Sequence, residues 1–175
     1  MGYLSVMIRH RFSLFLLILI GFQVFATAQT EAEFEANYKK RIQLEIIDGV
    51  YIPIDLEDAF SELNRLSDPA GLKEFKTAPE DSIRRRLHFG LGRWILINWG
   101  FEDGSRFSHY LKQKGVSVPD DMVEIVILAW HRKLNGRPLE LELEIAKIEE
   151  RRAREQAKRD SLATKIIIEK RPHKE

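Results

Sequence analysis

Three histidines could carry chemistry in this chain: His88, His109 and His131, which stand 21 and 22 residues apart. Imidazole serves as zinc ligand and general base, but zinc sites of that kind need close spacing, such as His-x-x-x-His with a neighbouring Glu. No such pair is present, so the three could meet only through the fold. Ser105 and His109 are four residues apart and would share a helix face, with Ser108 and Asp103 nearby. That is the raw material of a nucleophile and base. There is no Gly-x-Ser-x-Gly elbow, however, and Ser105 has a simpler job as a helix cap. The carboxylate pairs Glu80-Asp81, Glu102-Asp103 and Asp120-Asp121 could do acid–base work of the glycosidase type. Each also lies near an expected helix start, where the macrodipole favours negative charge. Arg84-Arg85-Arg86, with Arg93 further on, could contact phosphate, an anionic glycan, a lipid or an acidic protein. A solvated helix face is the ordinary use of such a run.

Composition narrows these options. The 175 residues fit one domain, with 28 Lys plus Arg against 27 Asp plus Glu and a net charge of +1. That balance creates no field of the kind that gathers nucleic acid. The absence of cysteine excludes a disulfide scaffold, a thiolate zinc site, an iron–sulfur cluster, a cysteine nucleophile and a lipid-modified cysteine. The pattern calls for no metal and no cofactor.

The first 28 residues read as an address. Arg9 and Arg11 precede an apolar run from Phe12 to Phe25, and Ala26-Thr27-Ala28 then offers a small-x-small cleavage site before Gln29. The run is shorter than the ~20 residues that span a bilayer, so the sequence predicts a cleaved secretory signal and no transmembrane span afterwards. Removing Met1–Ala28 would take two positive charges and leave a net charge of −1. The product would be periplasmic or secreted.

Behind that address, the six prolines mark joints between helices. A charged lead-in over residues 29–50 carries Phe34, Tyr38 and Ile42 at helical spacing from Glu31 to Ile46, and ends at the turn signal Asp48-Gly49. Val50-Tyr51-Ile52 is a short extended stretch. Asp55 caps a helix with Leu56, Ala59, Phe60, Leu63 and Leu66 as its apolar stripe. Thr77-Ala78-Pro79-Glu80 has the form of a capping box opening the next helix. Ser105 caps a helix closed by Gly115, and Asp120 or Asp121 caps Met122 to Leu134, stopped by Asn135-Gly136. The last of these is apolar almost all round and belongs in the middle of a bundle. After Pro138, residues 139–175 alternate Leu and Glu before becoming charge-rich. Strong helix formers without a breaker predict a long solvated helix, frayed at Ile166-Ile167-Ile168. Its sequence beyond Ile148 offers little apolar surface, so the tail past residue 150 is expected to be dispensable for folding. The fold class is all-α: about four to five short helices over residues 51–138, followed by a long charged helix.

The segment from His88 to Gly100, His-Phe-Gly-Leu-Gly-Arg-Trp-Ile-Leu-Ile-Asn-Trp-Gly, is the most unusual. Two glycines in a helical pattern cost ~1 kcal/mol each unless a close backbone approach or an open turn needs them. Trp94 and Trp99 on one continuous helix would point about 140° apart and form no common platform. With Ser105-Arg106, Pro119-Asp120-Asp121-Met122 and Leu134-Asn135-Gly136, this segment resembles a bacterial family of small exported or soluble helical domains of unknown function. Its motif is His-x-Gly-Leu-Gly-x-Trp-Ile-x-Asn-x-Trp-Gly, and here Leu96 and Ile97 replace polar or basic residues before the Asn. The resemblance spans about Tyr51 to Leu139 and implies a domain boundary but no catalytic residue.

The reading is therefore an exported, non-enzymatic helical binding module acting on a protein or cell-envelope partner, without nucleic acid and with its oligomeric state open. Its candidate binding residues are His88, Arg93, Asn98, Trp99, Ser105 and Arg106. Leu91, Trp94 and Ile95 are assigned to packing against the Met122–Leu134 helix. The alternative is a small periplasmic enzyme using a polar cluster of His88, Asn98, Ser105 and Arg106. The address is directly testable. Intact-mass analysis of the exported protein should show the loss of Met1–Ala28 and a new terminus at Gln29, and a product retaining the apolar run would contradict it.

Overall fold

The computed structural model describes residues 31–86 and 88–169, with the side chains of residues 84–86, 88, 89 and 164–169 outside that description. The expected signal peptide, with Ala28 and Gln29, falls outside it. The architecture is all-α. Helix α1 spans residues 31–41. A two-stranded hairpin follows, β1 (Ile46–Ile47) and β2 (Val50–Tyr51), antiparallel with Ile46 opposite Tyr51. Among the described residues the hairpin is followed by α2 (Leu56–Leu66), α3 (Pro69–Thr77), α4 (Glu80–Arg86), α5 (Arg93–Asn98), α6 (Arg106–Gln113), α7 (Pro119–Leu134) and the long α8 (Leu141–Glu169). A π-helical turn over His88–Gly92 joins α4 to α5.

The lead-in helix is shorter than its periodicity suggested because Asp48 and Gly49 both take positive φ. Such Asp-Gly turns match the twist of paired strands, and Ile46–Ile47 is drawn into the hairpin. Asp55 caps α2 as expected, its Oδ1 accepting from the Asp58 N–H at 2.9 Å. The sequence reading overlooked α3, although Asp68 accepts from the Ala70 and Gly71 N–H groups and Pro69 opens its first turn.

Thr77 is not a cap. Its hydroxyl donates to the Lys73 and Glu74 carbonyls in the last turn of α3. Ala78, preceding Pro79, is extended as such residues must be, so α4 starts afresh without the Thr77 side chain. Nor do Asp120 and Asp121 cap α7. Val118 holds that position without a side-chain bond, Pro119 occupies the first helical site, and both aspartates sit in the positive first turn.

Helix α7 is the centre of the molecule. Met122, Ile125, Val126 and Trp130 are buried, and α2 to α6 and α8 all pack against α7. Trp130 illustrates how the neighbours are fixed. Its indole N–H donates to Asn64 Oδ1 of α2 at 3.0 Å, and Phe75 of α3 stacks on its ring at 4.3 Å. Burying such a ring on two helices gives each a definite register.

Helix α8 is seated by charge as much as by oil. Ile145 and Ile148 enter the core, flanked by two ionic clamps. In the first, Arg132 of α7, only 4% exposed, meets Glu80 of α4 at 2.8 Å and Glu144 of α8 at 2.9 Å, and donates to the Leu139 carbonyl. In the second, Arg152 grips Asp121 with two hydrogen bonds at 2.8 and 3.0 Å, while Arg151 reaches Asp121 and Glu124. The charges past Ile148 are therefore not all solvated, contrary to the sequence expectation. A cut at residue 150 would strip buried Asp121 of both guanidinium groups. Residues 153–163 are exposed throughout.

Breaking a buried pair on one side leaves an uncompensated charge, so Arg132→Ala should lower stability by ~3–5 kcal/mol in urea denaturation. The Arg132 hydrogen bonds hold the Glu80 carboxyl below the ordinary glutamate range. A lowered folded-state pKa means stability that is present above the ordinary glutamate pKa and lost as pH falls through the folded value. Acid titration should accordingly destabilise the wild type more steeply than Arg132→Ala.

Candidate functional site

The sequence concentrated its candidates between His88 and Arg106, and the local fold there follows from glycine and capping chemistry. Gly90 lies in the π-helical turn with open space where a Cβ would stand, so no close packing contact requires glycine there. Helix α5 runs only from Arg93 to Asn98 before Trp99 leaves the helix at φ −92, ψ 7. Gly100 and Gly104 then take φ of +61 and +92, turning the chain so that Ser105 can start α6.

The aromatic geometry differs from the helical-spacing expectation. A continuous helix would keep the two tryptophans apart, yet their rings meet edge to face with centroids 5.9 Å apart. Trp99 is fully buried and also meets Phe107 edge-on at 5.4 Å, next to Phe101. Its indole N–H has no hydrogen-bond partner among the described residues. Trp94 is half-buried, and Ile95 is wholly buried against the same core as α7.

The polar candidates are engaged one by one with nearby backbone. Asn98 donates from Nδ2 to the Trp94 carbonyl at 2.9 Å, one turn back on its own helix. Ser105, fully buried, accepts from the Ser108 N–H at 3.2 Å, while Ser108 Oγ accepts from the Ser105 N–H at 2.8 Å. This is a reciprocal capping box with serine in the place usually held by Glu or Gln. Arg106 donates from Nε to the Ile52 carbonyl at 2.7 Å, and its guanidinium lies 5.1 Å from the Tyr51 ring centre. Tyr51 in turn donates to Asp58 Oδ2 at 2.8 Å. That bond, with some burial, raises the Tyr51 pKa. Arg93 is exposed, and the His88 side chain lies outside the described residues. Asn98, Ser105 and Arg106 thus bond to three different places.

The other histidines separate as well. His109 on α6 places Nδ1 3.0 Å from the Tyr38 hydroxyl of α1 and Nε2 near the Gln113 amide. His131 on α7 is buried, its ring edge-on to Phe75, with Nδ1 unpartnered among the described residues. Among those residues, no group of three or more His, Asp or Glu could hold a metal ion, and no helix is long and apolar enough to cross a membrane.

A concave apolar surface lies beside this segment. Leu63, Leu66 and Ser67 of α2 and its C-terminus, with Gly90, Leu91 and Trp94, line a groove of about 360 Å³. Leu66, expected in the core, is 45% exposed at its edge. Sequence reasoning missed this groove because Leu66 fits the apolar stripe of α2 perfectly well.

Fold and site together define an all-α bundle whose candidate polar side chains serve its own backbone. Residues 52–134 match the model of a family described as a domain of unknown function, DUF6794. No curated protein and no solved structure matches the chain. The matched segment starts at the end of the hairpin and closes with the last residue of α7, leaving α1 and α8 outside.

If these residues are structural, their substitution should be read in stability. Trp99→Ala should cost ~3–5 kcal/mol by removing a buried indole. Ser105→Ala should cost ~1–2 kcal/mol as a lost cap. Exposed Arg93→Ala should be close to neutral. Urea denaturation of the three variants checks the order.

Proposed function

We propose that this chain is an exported, non-catalytic interaction module that docks a protein or cell-envelope partner. One observation carries the reading: Asn98, Ser105 and Arg106 are already hydrogen-bonded to backbone groups of Trp94, Ser108 and Ile52. A catalytic group must keep a free face toward substrate and be within reach of the reacting atom. The Trp94 groove has the opposite character. It is apolar, shallow and open, with a half-buried indole and the exposed Leu66 at its edge, and a partly exposed ring of that kind is a common anchor for a partner's apolar side chain. Export rests on the basic, apolar and small-residue pattern of residues 1–28. On this reading, the partner is a protein presenting one apolar side chain to the groove.

The test is site-specific crosslinking in the producing cell. A photoreactive residue at position 66 should yield one adduct of defined mass, whereas the same residue at the exposed position 162 should not. Leu66→Asp should leave the melting midpoint within a few degrees, because that side chain is already 45% exposed, and Leu66→Asp should suppress an adduct formed from position 94. Equal labelling at 66 and 162, or none at either, would contradict the reading.

A further inference from the structure

Helix α1 is an odd partner for the domain it touches. Residues 31–37 are all exposed, and Phe34, one turn before Tyr38 on the same face, remains 59% exposed. An ordinary core helix would bury an apolar stripe. This one docks through Tyr38 and Arg41, with Ile42 half-buried just beyond its end.

What those two side chains enter is unusually specific. A Cβ on Gly104 would collide with the edge of the Tyr38 ring, and one on Gly100 would stand 2.8 Å from Arg41 Nη2. Both glycines have positive φ, so the loop between α5 and α6 holds two gaps that a ring and a guanidinium occupy. Around the ring, the Tyr38 hydroxyl pairs with His109 Nδ1 at 3.0 Å, and Lys112 Nζ lies 4.7 Å from the ring centre. Arg41 donates from Nε to the Gly104 carbonyl at 2.9 Å and faces Asp103 at 4.0 Å. The cleft is built from Gly100 to Lys112, wholly inside the family-matched segment, whereas its occupant lies wholly outside it. The lining thus belongs to the domain and the filling to this chain.

We infer that the cleft formed by Gly100, Asp103, Gly104, His109 and Lys112 is a recognition site for a helical segment carrying Tyr-x-x-Arg, and that α1 is its resident, displaceable ligand in cis. The ligand class follows from the contacts: an aromatic ring over a glycine gap beside an imidazole and an ammonium, and an arginine on a backbone carbonyl. A footprint of so few side chains is held at high effective concentration by the short connection through the hairpin, so a competing helix in trans succeeds only where α1 has been weakened. This rests on the interaction-module reading and names a second surface for it, distinct from the Trp94 groove.

The experiment uses the full chain and a fluorescent peptide of residues 31–45. Tyr38→Ala/Arg41→Ala empties the cleft without touching its lining. The emptied chain should bind the peptide at least tenfold more tightly than the wild type, and adding Lys112→Glu and His109→Ala to it should remove that binding. Peptide carrying the same two substitutions should not bind. Equal affinity for both chains, or no binding to an emptied chain that still unfolds cooperatively, overturns the proposal. Loss of cooperative unfolding in the emptied chain also overturns it, because α1 would then be part of the core. Failure here leaves crosslinking at position 66 unaffected, so the two readings fall separately.

Discussion

The constraint on which everything else depends is that α7 is apolar on nearly every side. A helix that carries Met122, Val123, Ile125, Val126, Ile127, Leu128, Ala129 and Trp130 in sequence cannot leave any broad face in water. Helices α2 to α6 and α8 are therefore covers for α7, and α3, α4, α5 and α6 are short. Short helices are marginal alone, so their ends must be fixed by local chemistry. That explains the density of devices between them: Asp55 and Asp68 as caps, the Ser105–Ser108 box, and the positive-φ glycines at 100, 104, 115 and 136.

The same constraint explains why the candidate site serves the fold. With the core filled by α7, Trp99 and Phe107, the loop from Asn98 to Arg106 must turn sharply in a confined space. The side chains at its two ends are spent on backbone groups around it: Asn98 on the Trp94 carbonyl, Ser105 on the Ser108 N–H and Arg106 on the Ile52 carbonyl. Where α7 ends in His131, Arg132 and Lys133, the cover changes from apolar to ionic. Arg132 then fixes both α4 and α8 in one place. A buried ion pair is weak evidence for stability but strong geometric constraint, since Glu80 and Glu144 can meet one guanidinium in few arrangements.

Much of this was legible in the residues themselves. The Asp55 and Ser105 caps, the Gly115 and Asn135-Gly136 stops, the central helix and the long tail helix all rest on local signals, and local signals survive folding. What escaped was of two kinds. Some features depended on a choice between neighbouring local signals: Thr77 looked like a cap because Glu80 follows three residues later, but Asp68-Pro69 had already started a helix that consumed its hydroxyl. Others depended on distance along the chain. Tyr38 meets His109 across 71 positions, and Arg132 meets Glu80 across 52. Neither pairing leaves a periodicity or motif behind. The Trp94–Trp99 contact failed differently, because helical spacing fixes where side chains leave the backbone and not where two large rings end.

Native-state hydrogen exchange tests the central claim most directly, since it ranks the elements by how they open. If α7 is the hub, its amides from Met122 to Trp130 should exchange only with global unfolding and share a single denaturant dependence. The α1 amides, held by two side chains, and those of α8 beyond Arg152 should exchange orders of magnitude faster through local opening. Protection of α1 equal to that of α7, or an α7 that opens before its covers, would contradict the account.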